Sequence, residues 1–166
     1  MKRIKKGLSI GAFLCVTMVC CYAQSHNEWK IQPIKIKTRW AKDVKPEHVL
    51  PEYPRPQMVR DQWQNLNGLW EYAITDKAAS QPTTFHEKIL VPFPVESALS
   101  GVKKPLLPNQ RLWYKRVISK PALKKGDRTL LHFGAVDWQA TVYVNGKEVG
   151  GHTGGYQEFT LDITNE

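Results

Sequence analysis

A two-residue turn, Asn145-Gly146, constrains the fold of this chain more than any other feature of its sequence. The run Ala140–Val144, rich in β-branched residues, leads into the turn, and Lys147–Val149 leads out of it. Asn-Gly favours the positive φ angles of a type I′ turn, which joins two antiparallel strands with the twist that they require. The sequence therefore predicts a β-hairpin centred on Thr141–Val149.

Five further runs of apolar and aromatic residues predict additional strands. They recur at intervals of about ten residues, with turn residues between them and without a long helical period. This pattern is typical of an antiparallel β-sandwich, so the predicted fold class is all-β. The predicted strands are Leu69–Ile74, Lys88–Phe93, Leu112–Ile118, Arg128–Phe133 and Phe159–Ile163.

The tryptophans support two interpretations. Trp70, Trp113 and Trp138 lie in or beside predicted strands, where large aromatic side chains usually fill the core. Aromatic faces also stack on sugar rings, so Trp40, Trp63, Trp113 and Trp138 are the alternatives for lining a carbohydrate site. We expect core packing for the three tryptophans that lie in or beside strands.

The N-terminus has the three-part layout of a secretory signal peptide. A basic cluster at residues 2–6 precedes an apolar run at residues 7–19, and a cleavage motif with small residues ends at Ala23. We predict a signal peptide at residues 1–23, cleaved before Gln24, and therefore an exported protein in the periplasm or outside the cell. The apolar run is shorter than the roughly 20 residues that a membrane-spanning helix needs.

A lipid anchor on Cys20 or Cys21 is the alternative, although the residues before these cysteines make a poor lipoprotein motif. Only in that case is a membrane a predicted partner. All three cysteines of the chain lie in the predicted leader, so the remainder has no disulfide and relies on a hydrophobic core. Cleavage leaves 20 basic and 15 acidic residues. The basic residues are dispersed and form no nucleic-acid motif, so nucleic acid is not a predicted partner.

Residues 24–56 are polar, and prolines recur among them at positions 33, 46, 51, 54 and 56. Proline fixes φ and lacks an amide proton, so this stretch is neither a central strand nor a long helix. We predict an extended lead-in that packs along a neighbour, with a disordered tether as the alternative. The folded domain is predicted to span residues 57–166.

The loop Gly150–Tyr156 is the most inviting place for chemistry, but it lacks the spacing and the following helix of a phosphate-binding loop. It is either a flexible connection between strands or a loop that presents His152 and Tyr156. The histidines show no metal-ligand spacing, so neither a metal nor another cofactor is predicted. Glycoside hydrolysis needs two paired carboxylates, and no acidic pair forms a recognisable motif here, so no catalytic residue is assigned.

Five stretches, taken in order, resemble the N-terminal sugar-binding domain of family 2 glycoside hydrolases, which include β-galactosidases, β-glucuronidases and β-mannosidases. The resemblance covers residues 53–164. The stretches are Pro54-Arg55-Pro56-Gln57 through Leu66-Asn67-Gly68-Leu69-Trp70, Val91-Pro92-Phe93-Pro94-Val95-Glu96-Ser97, Leu112-Trp113-Tyr114-Lys115-Arg116, Leu131–Gly146, and Gly151-His152-Thr153-Gly154-Gly155-Tyr156 with Phe159–Thr164.

This resemblance implies a jelly-roll β-sandwich of the galactose-binding type. It also implies an exported glycosidase that acts on β-linked glycans, with its catalytic glutamates in a barrel domain outside these 166 residues. The predicted partners are therefore a β-linked glycan and the catalytic domains that follow in such enzymes. A free-standing carbohydrate-binding module and a fragment without function are the alternatives.

The resemblance also implies site residues. In β-galactosidases of the family, an asparagine five residues before the tyrosine of the third motif reaches the active site, and Asn109 holds that position relative to Tyr114. An acidic residue of the glycine loop reaches the sugar in those enzymes. Here Gly154 and Gly155 stand in the loop, as in the His-x-Gly-Gly-Tyr pattern of β-glucuronidases, which argues against a strict β-galactosidase. The predicted substrate-binding residues are Asn109, His152 and Tyr156.

Overall fold

A computed structural model describes residues 28–166, so the predicted signal peptide lies outside the described residues. The chain divides into two compact units, the first ending at Arg116 and the second spanning Val117–Glu166. Both units are built from antiparallel strands, and within residues 28–166 the only helices are short 3-10 turns, at Arg39–Asp43, Pro56–Met58 and Ala98–Ser100. The predicted all-β class is confirmed. No described helix has the length and apolar character that a membrane crossing needs.

The first unit contains a three-stranded sheet. Its strands are β1 (Gly68–Asp76), β2 (Glu87–Val91) and β3 (Gln110–Lys115), in the spatial order β2-β1-β3. The central strand β1 pairs Trp70 with Ile89 on one side and Tyr72 with Tyr114 on the other. All three strands were predicted, with ends that differ by one to three residues.

The core of the first unit lies on one face of this sheet. Tyr72, Ile89 and Val95 form its buried centre, and Trp70 and Leu112 are among the partly buried residues packed against them. Ile89 is completely buried, which contributes about 2 kcal/mol to stability. The hydroxyl of Tyr72 donates to the carboxylate of Glu87, and burial raises its pKa, with the negative charge of Glu87 adding to the effect.

The prediction that Trp70 and Trp113 pack in the core is confirmed for Trp70, whereas Trp113 is only half-buried. Trp70 packs on the core, and its indole N–H donates to the carbonyl of Leu66 at 2.8 Å. Trp113 is half-buried, and its indole N–H donates to the hydroxyl of Thr75 at 2.9 Å.

Residues 28–34 run extended along the turn that contains the third 3-10 helix. The backbone N–H of Gln32 donates to the carbonyl of Ala98 at 3.0 Å, and its side-chain amide donates to the carbonyl of Gly101 at 2.7 Å. The indole N–H of Trp29 donates to the carbonyl of Leu99 at 3.2 Å. This part of the lead-in is therefore held against the turn at residues 98–101.

Trp29 also depends on the absence of a side chain at Gly101. Gly101 has φ +85°, and a Cβ at this position would lie 2.4 Å from Cδ1 of Trp29. Only glycine combines this left-handed backbone with the close approach of the indole ring.

The second unit contains four strands in two pairs. They are β4 (Leu130–Phe133), β5 (Gln139–Val144), β6 (Lys147–Thr153) and β7 (Phe159–Asp162), with β4 paired to β7 and β5 paired to β6. Asn145 and Gly146 have φ angles of 51° and 84° between β5 and β6, so the predicted hairpin and its turn are confirmed.

The hairpin is longer than predicted and contains a bulge. Val142 pairs with Gly150, whereas the next residue, Tyr143, pairs with Glu148, so Val149 is the extra residue on β6. Strand β6 continues to Thr153, which places Gly150 and Gly151 inside a strand rather than in a flexible connection. The glycines permit this because a Cβ at Gly151 would lie only 2.6 Å from the carbonyl oxygen of Ala140.

The core of the second unit is a stack of rings. Phe133 and Phe159 are stacked with ring centroids 4.6 Å apart. The imidazole of His152 also stacks on Phe159, with centroids 4.7 Å apart. Ile163 is buried beyond the end of β7. Trp138 lies outside this core.

The expectation that Trp138 packs in the core is wrong, because 66% of its surface is exposed. The hairpin ladder ends at the pair Gln139 and Thr153, so Trp138 is the residue just beyond the last pair. Its backbone is fixed, since its carbonyl accepts a hydrogen bond from Gly154 at 2.7 Å, while its ring projects from the end of the hairpin without cover.

Candidate functional site

In the first unit, Asn109 lies in a tight turn before β3. The turn is closed by the N–H of Gln110, which donates to the carbonyl of Leu107 at 2.9 Å. The carbonyl of Asn109 accepts from the N–H of Lys77 at 2.8 Å, so its backbone is anchored to the end of β1. Its side chain is exposed, and the carboxamide makes no hydrogen bond to a described residue. An anchored backbone with an uncommitted amide suits hydrogen bonding to a ligand.

Tyr114 on β3 is a polar group that the sequence reasoning used only as a reference point. Its ring meets Trp70 edge-on, with centroids 6.4 Å apart. Burial raises the pKa of its hydroxyl to about 12, and the nearby negative charge of Glu96 adds to the effect. The hydroxyl therefore stays protonated at any physiological pH and remains a hydrogen-bond donor.

In the second unit, His152 is part of the ring stack. It sits on β6 opposite Ala140, with its imidazole nearly parallel to Phe159 at 14°. Its Nε2 atom is buried and has no hydrogen-bond partner among residues 28–166. The imidazole of His152 therefore packs inside the second unit against Phe159. The assignment of His152 as a ligand contact stays a prediction.

Tyr156 is placed differently from His152, although both come from the same glycine-rich stretch. It lies in the connection between β6 and β7, and its side chain is fully exposed. The neighbouring Gly154 is tied to the carbonyl of Trp138, so the exposed rings of Tyr156 and Trp138 lie at the same end of the hairpin.

Asp137 completes this end of the hairpin. A Cβ at Gly155 would lie 2.6 Å from Oδ1 of Asp137, so the carboxylate rests directly against the glycine backbone. Asp137 is exposed and forms no ion pair with another described residue. We call this set the aromatic edge, and it comprises Asp137, Trp138, Gly154, Gly155 and Tyr156.

The sequence predicts Tyr156 as a site residue and offers Trp138 only as an alternative to core packing, and it does not identify Asp137 as a binding residue. A signal for them was present, because strands that extend from a two-residue turn bring residues 138 and 154 opposite each other after one bulge. Within residues 28–166, no group of three histidine, cysteine or acidic side chains is close enough to hold a metal ion.

The aromatic edge has the chemistry of a carbohydrate contact. Indole and phenol faces pack on the apolar C–H faces of sugar rings, and a carboxylate accepts hydrogen bonds from sugar hydroxyls. The glycines allow a ligand to approach the backbone closely. In the first unit, the exposed carboxamide of Asn109 offers a hydrogen-bonding group for the same kind of ligand.

Comparisons with known proteins point to carbohydrate enzymes. The chain is 27% identical over 118 residues to a beta-glucuronidase of Paenibacillus borealis, which covers 68% of this chain and 20% of the relative. It is 44% identical over 52 residues to a beta-galactosidase of Thermoanaerobacter pseudethanolicus, which covers 31% of this chain and 7% of the relative. Two beta-glucuronidases match more than half of this chain, and the chain spans only about a fifth of the length of each.

Among solved structures, the beta-glucuronidase of Faecalibacterium prausnitzii is similar, with a TM-score of 0.48 and 25% identity over 65% of this chain and 20% of that one. The family described as "Glycosyl hydrolase 2 galactose-binding domain-like" matches residues 70–166, which is more than half of the chain. This range contains β2 to β7, most of β1, and the whole aromatic edge. The chain belongs to the glycosyl hydrolase 2 galactose-binding domain-like family.

Proposed function

We propose that this chain is the sugar-contacting module of an exported glycoside hydrolase that acts on β-linked glycans. The observation that carries the proposal is the pair of exposed rings, Trp138 and Tyr156, beside the carboxylate of Asp137. Family membership supports a glycoside hydrolase context, and the layout of residues 1–23 supports export.

The role that we assign to the chain is binding rather than bond cleavage. Hydrolysis of a glycosidic bond requires a general acid and a second carboxylate placed across the bond, about 5–10 Å apart. Asp137 stands alone on the aromatic edge, so it serves as a hydrogen-bond acceptor and not as half of such a pair. Asn109 is a second proposed contact, supported by its exposed carboxamide.

The proposal is tested by titrating the purified chain with neutral β-linked oligosaccharides while recording NMR spectra. We expect shifts of the indole N–H of Trp138 and the ring signals of Tyr156, with dissociation constants in the millimolar range, about −4 kcal/mol, because the contact is open. The variant Trp138→Ala/Tyr156→Ala should lose the binding. The control Trp40→Ala removes a ring of similar exposure, 61% against 66%, and should bind as the parent does.

Two results would contradict the proposal. One is an absence of shifts at Trp138 and Tyr156 with every oligosaccharide, and the other is equal binding by the double variant. Release of sugar from aryl β-glycosides by the pure chain, with contaminating enzyme excluded, would contradict the assignment of a binding role.

A free-standing carbohydrate-binding module is the second candidate function, and the complete exposure of Tyr156 favours it as well. The same titration separates the two. A module that works alone must hold its glycan without help, so it predicts micromolar affinity, about −8 kcal/mol, for this chain.

A further inference from the structure

A cavity lies in the part of the first unit that precedes β1. Its volume is about 310 Å³, at the lower end of the roughly 300–1,000 Å³ range of small-molecule sites. Apolar residues form most of its wall, and two lysines join them. The residues that matter are Ile31, Pro33, Ile34, Ala41, Lys37 and Lys42.

The wall of this cavity is held in place at two points. Gln32, which also lines it, is fixed to the carbonyls of Ala98 and Gly101. Ala41 is buried in the first 3-10 helix, where its N–H donates to the carbonyl of Thr38 at 3.2 Å. The cavity is therefore a defined feature of the folded unit.

The charge around the cavity is strongly positive. Residues 30–45 contain six basic side chains and a single acidic one, Asp43. Neither Lys37 nor Lys42 forms an ion pair with a described residue, and both are exposed. Each ammonium group has three donors, so two of them beside an apolar wall select an anionic group attached to an apolar surface.

We propose that this cavity binds an acidic oligosaccharide, whose carboxylate or sulfate groups pair with Lys37 and Lys42 while the C–H face of a sugar ring packs on Pro33 and Ile34. The choice of a saccharide rests on the proposed glycan function, and the volume suits one or two rings rather than extended acyl chains. This cavity would hold an acidic polymer while the aromatic edge of the second unit acts as a separate contact.

Binding is measured by calorimetry on the purified chain at low and moderate salt. The probes are tetragalacturonate for carboxylate, a carrageenan tetrasaccharide for sulfate, and cellotetraose as the neutral control. We expect one or both acidic probes to bind and the neutral probe not to bind at this cavity, with affinity that falls as salt screens the lysines. The two acidic probes tell which anionic group is preferred.

Variants locate the site. Lys37→Ala/Lys42→Ala should weaken acidic binding by roughly tenfold or more, because two charge-assisted hydrogen bonds are lost. The matched control Lys124→Ala/Lys125→Ala removes the same charge from the second unit and should change affinity by less than about twofold at moderate salt. Lys37→Arg/Lys42→Arg keeps the charge and should keep most of the affinity. All four lysines are exposed, so the variants are expected to fold, which circular dichroism checks.

The proposal is overturned by equal losses in the two alanine pairs, by binding of the neutral probe equal to that of the acidic probes in the Trp138→Ala/Tyr156→Ala variant, or by no binding of either acidic probe. Stronger binding to phosphatidylglycerol vesicles than to the acidic saccharides would also overturn it, since the surface would then be a membrane contact. Trp138→Ala/Tyr156→Ala should leave acidic binding unchanged, so failure at this cavity and failure of the proposed function are separate outcomes.

Discussion

The carboxylate of Asp137 fills the space that a side chain at Gly155 would need. The second glycine of the Gly-Gly pair is thus explained by a contact with the residue that precedes Trp138, across the open end of the hairpin. The contact holds a carboxylate that has no ion pair among the described residues at the same end of the hairpin as Trp138 and Tyr156. A different glycine, Gly151, faces a backbone carbonyl instead of a side chain.

Gly155→Ala and Gly151→Ala should therefore behave differently. At position 155 the carboxylate of Asp137 can rotate away, and only its Cβ stays near the new methyl group, at 3.3 Å, so the stability loss should stay under about 1 kcal/mol while sugar binding weakens. At position 151 the new Cβ meets the carbonyl oxygen of Ala140 at 2.6 Å, and we expect a loss of about 1–3 kcal/mol. Urea denaturation measures both, and equal losses would contradict this account.

His152 should be replaceable by phenylalanine without loss of stability. Phenylalanine keeps the stack on Phe159 and removes Nε2, a buried polar atom with no partner among the described residues, so His152→Phe should be neutral or stabilising by about 1 kcal/mol. His152→Ala removes the stack and should cost about 1–2 kcal/mol. Thermal unfolding of the two variants tests this; a destabilised phenylalanine variant would indicate a required polar role for Nε2.

The second unit should lose stability in acid through Asp162. Hydrogen bonds from the hydroxyl and the N–H of Thr164, and then from Arg128, lower the pKa of Asp162 to about 2. Because the folded pKa lies below the ordinary value of 3.8, this contribution is complete above that value and disappears as the pH falls towards 2. The melting temperature of the parent should thus fall more steeply between pH 4 and pH 2, roughly the interval between the two pKa values, than that of Asp162→Asn. If the melting temperatures of the parent and of Asp162→Asn fall in parallel over this interval, Asp162 is not the source of the acid sensitivity.

Gly101→Ala should release the lead-in. The new Cβ would collide with Trp29 and would hold alanine at φ +85°, which costs about 1 kcal/mol in backbone energy alone. Proteolysis after residues 28–32 should become faster. In the Trp29→Ala background the collision is absent, so the same glycine replacement should cost less. Additive effects in this double-mutant cycle would show that the two residues do not interact.

Local chemistry explains why the strands and the hairpin were predictable. Asn145-Gly146 favours a turn without help from distant residues. The apolar and aromatic residues of β1 and β2 favour strands through their own composition. The ends of the elements depend on partners. Strand β6 continues through Gly150 and Gly151, which are weak strand formers, because β5 supplies their hydrogen bonds.

The features that escaped prediction are those set by distant contacts. Trp138 looked like a core residue because it adjoins a strand, yet its exposure is decided by where the hairpin ladder stops. The contact of Trp29 with the carbonyl of Leu99 joins residues 70 positions apart, and no local pattern marks it. Of the predicted site residues, Asn109 and Tyr156 are exposed, whereas His152 is half-buried in a stack.

The bulge at Val149 limits how this stretch can change in length. Residues directly opposite each other share a face of the hairpin, and the extra residue places His152 opposite Ala140 rather than Gln139. Deletion of the Val149 codon would remove the bulge and leave His152 opposite Ala140, whereas an added residue between Val149 and His152, without a second bulge, would move His152 opposite Gln139 and turn it away from Phe159. We therefore expect related genes to lose one residue at this bulge more readily than to gain one between Val149 and His152.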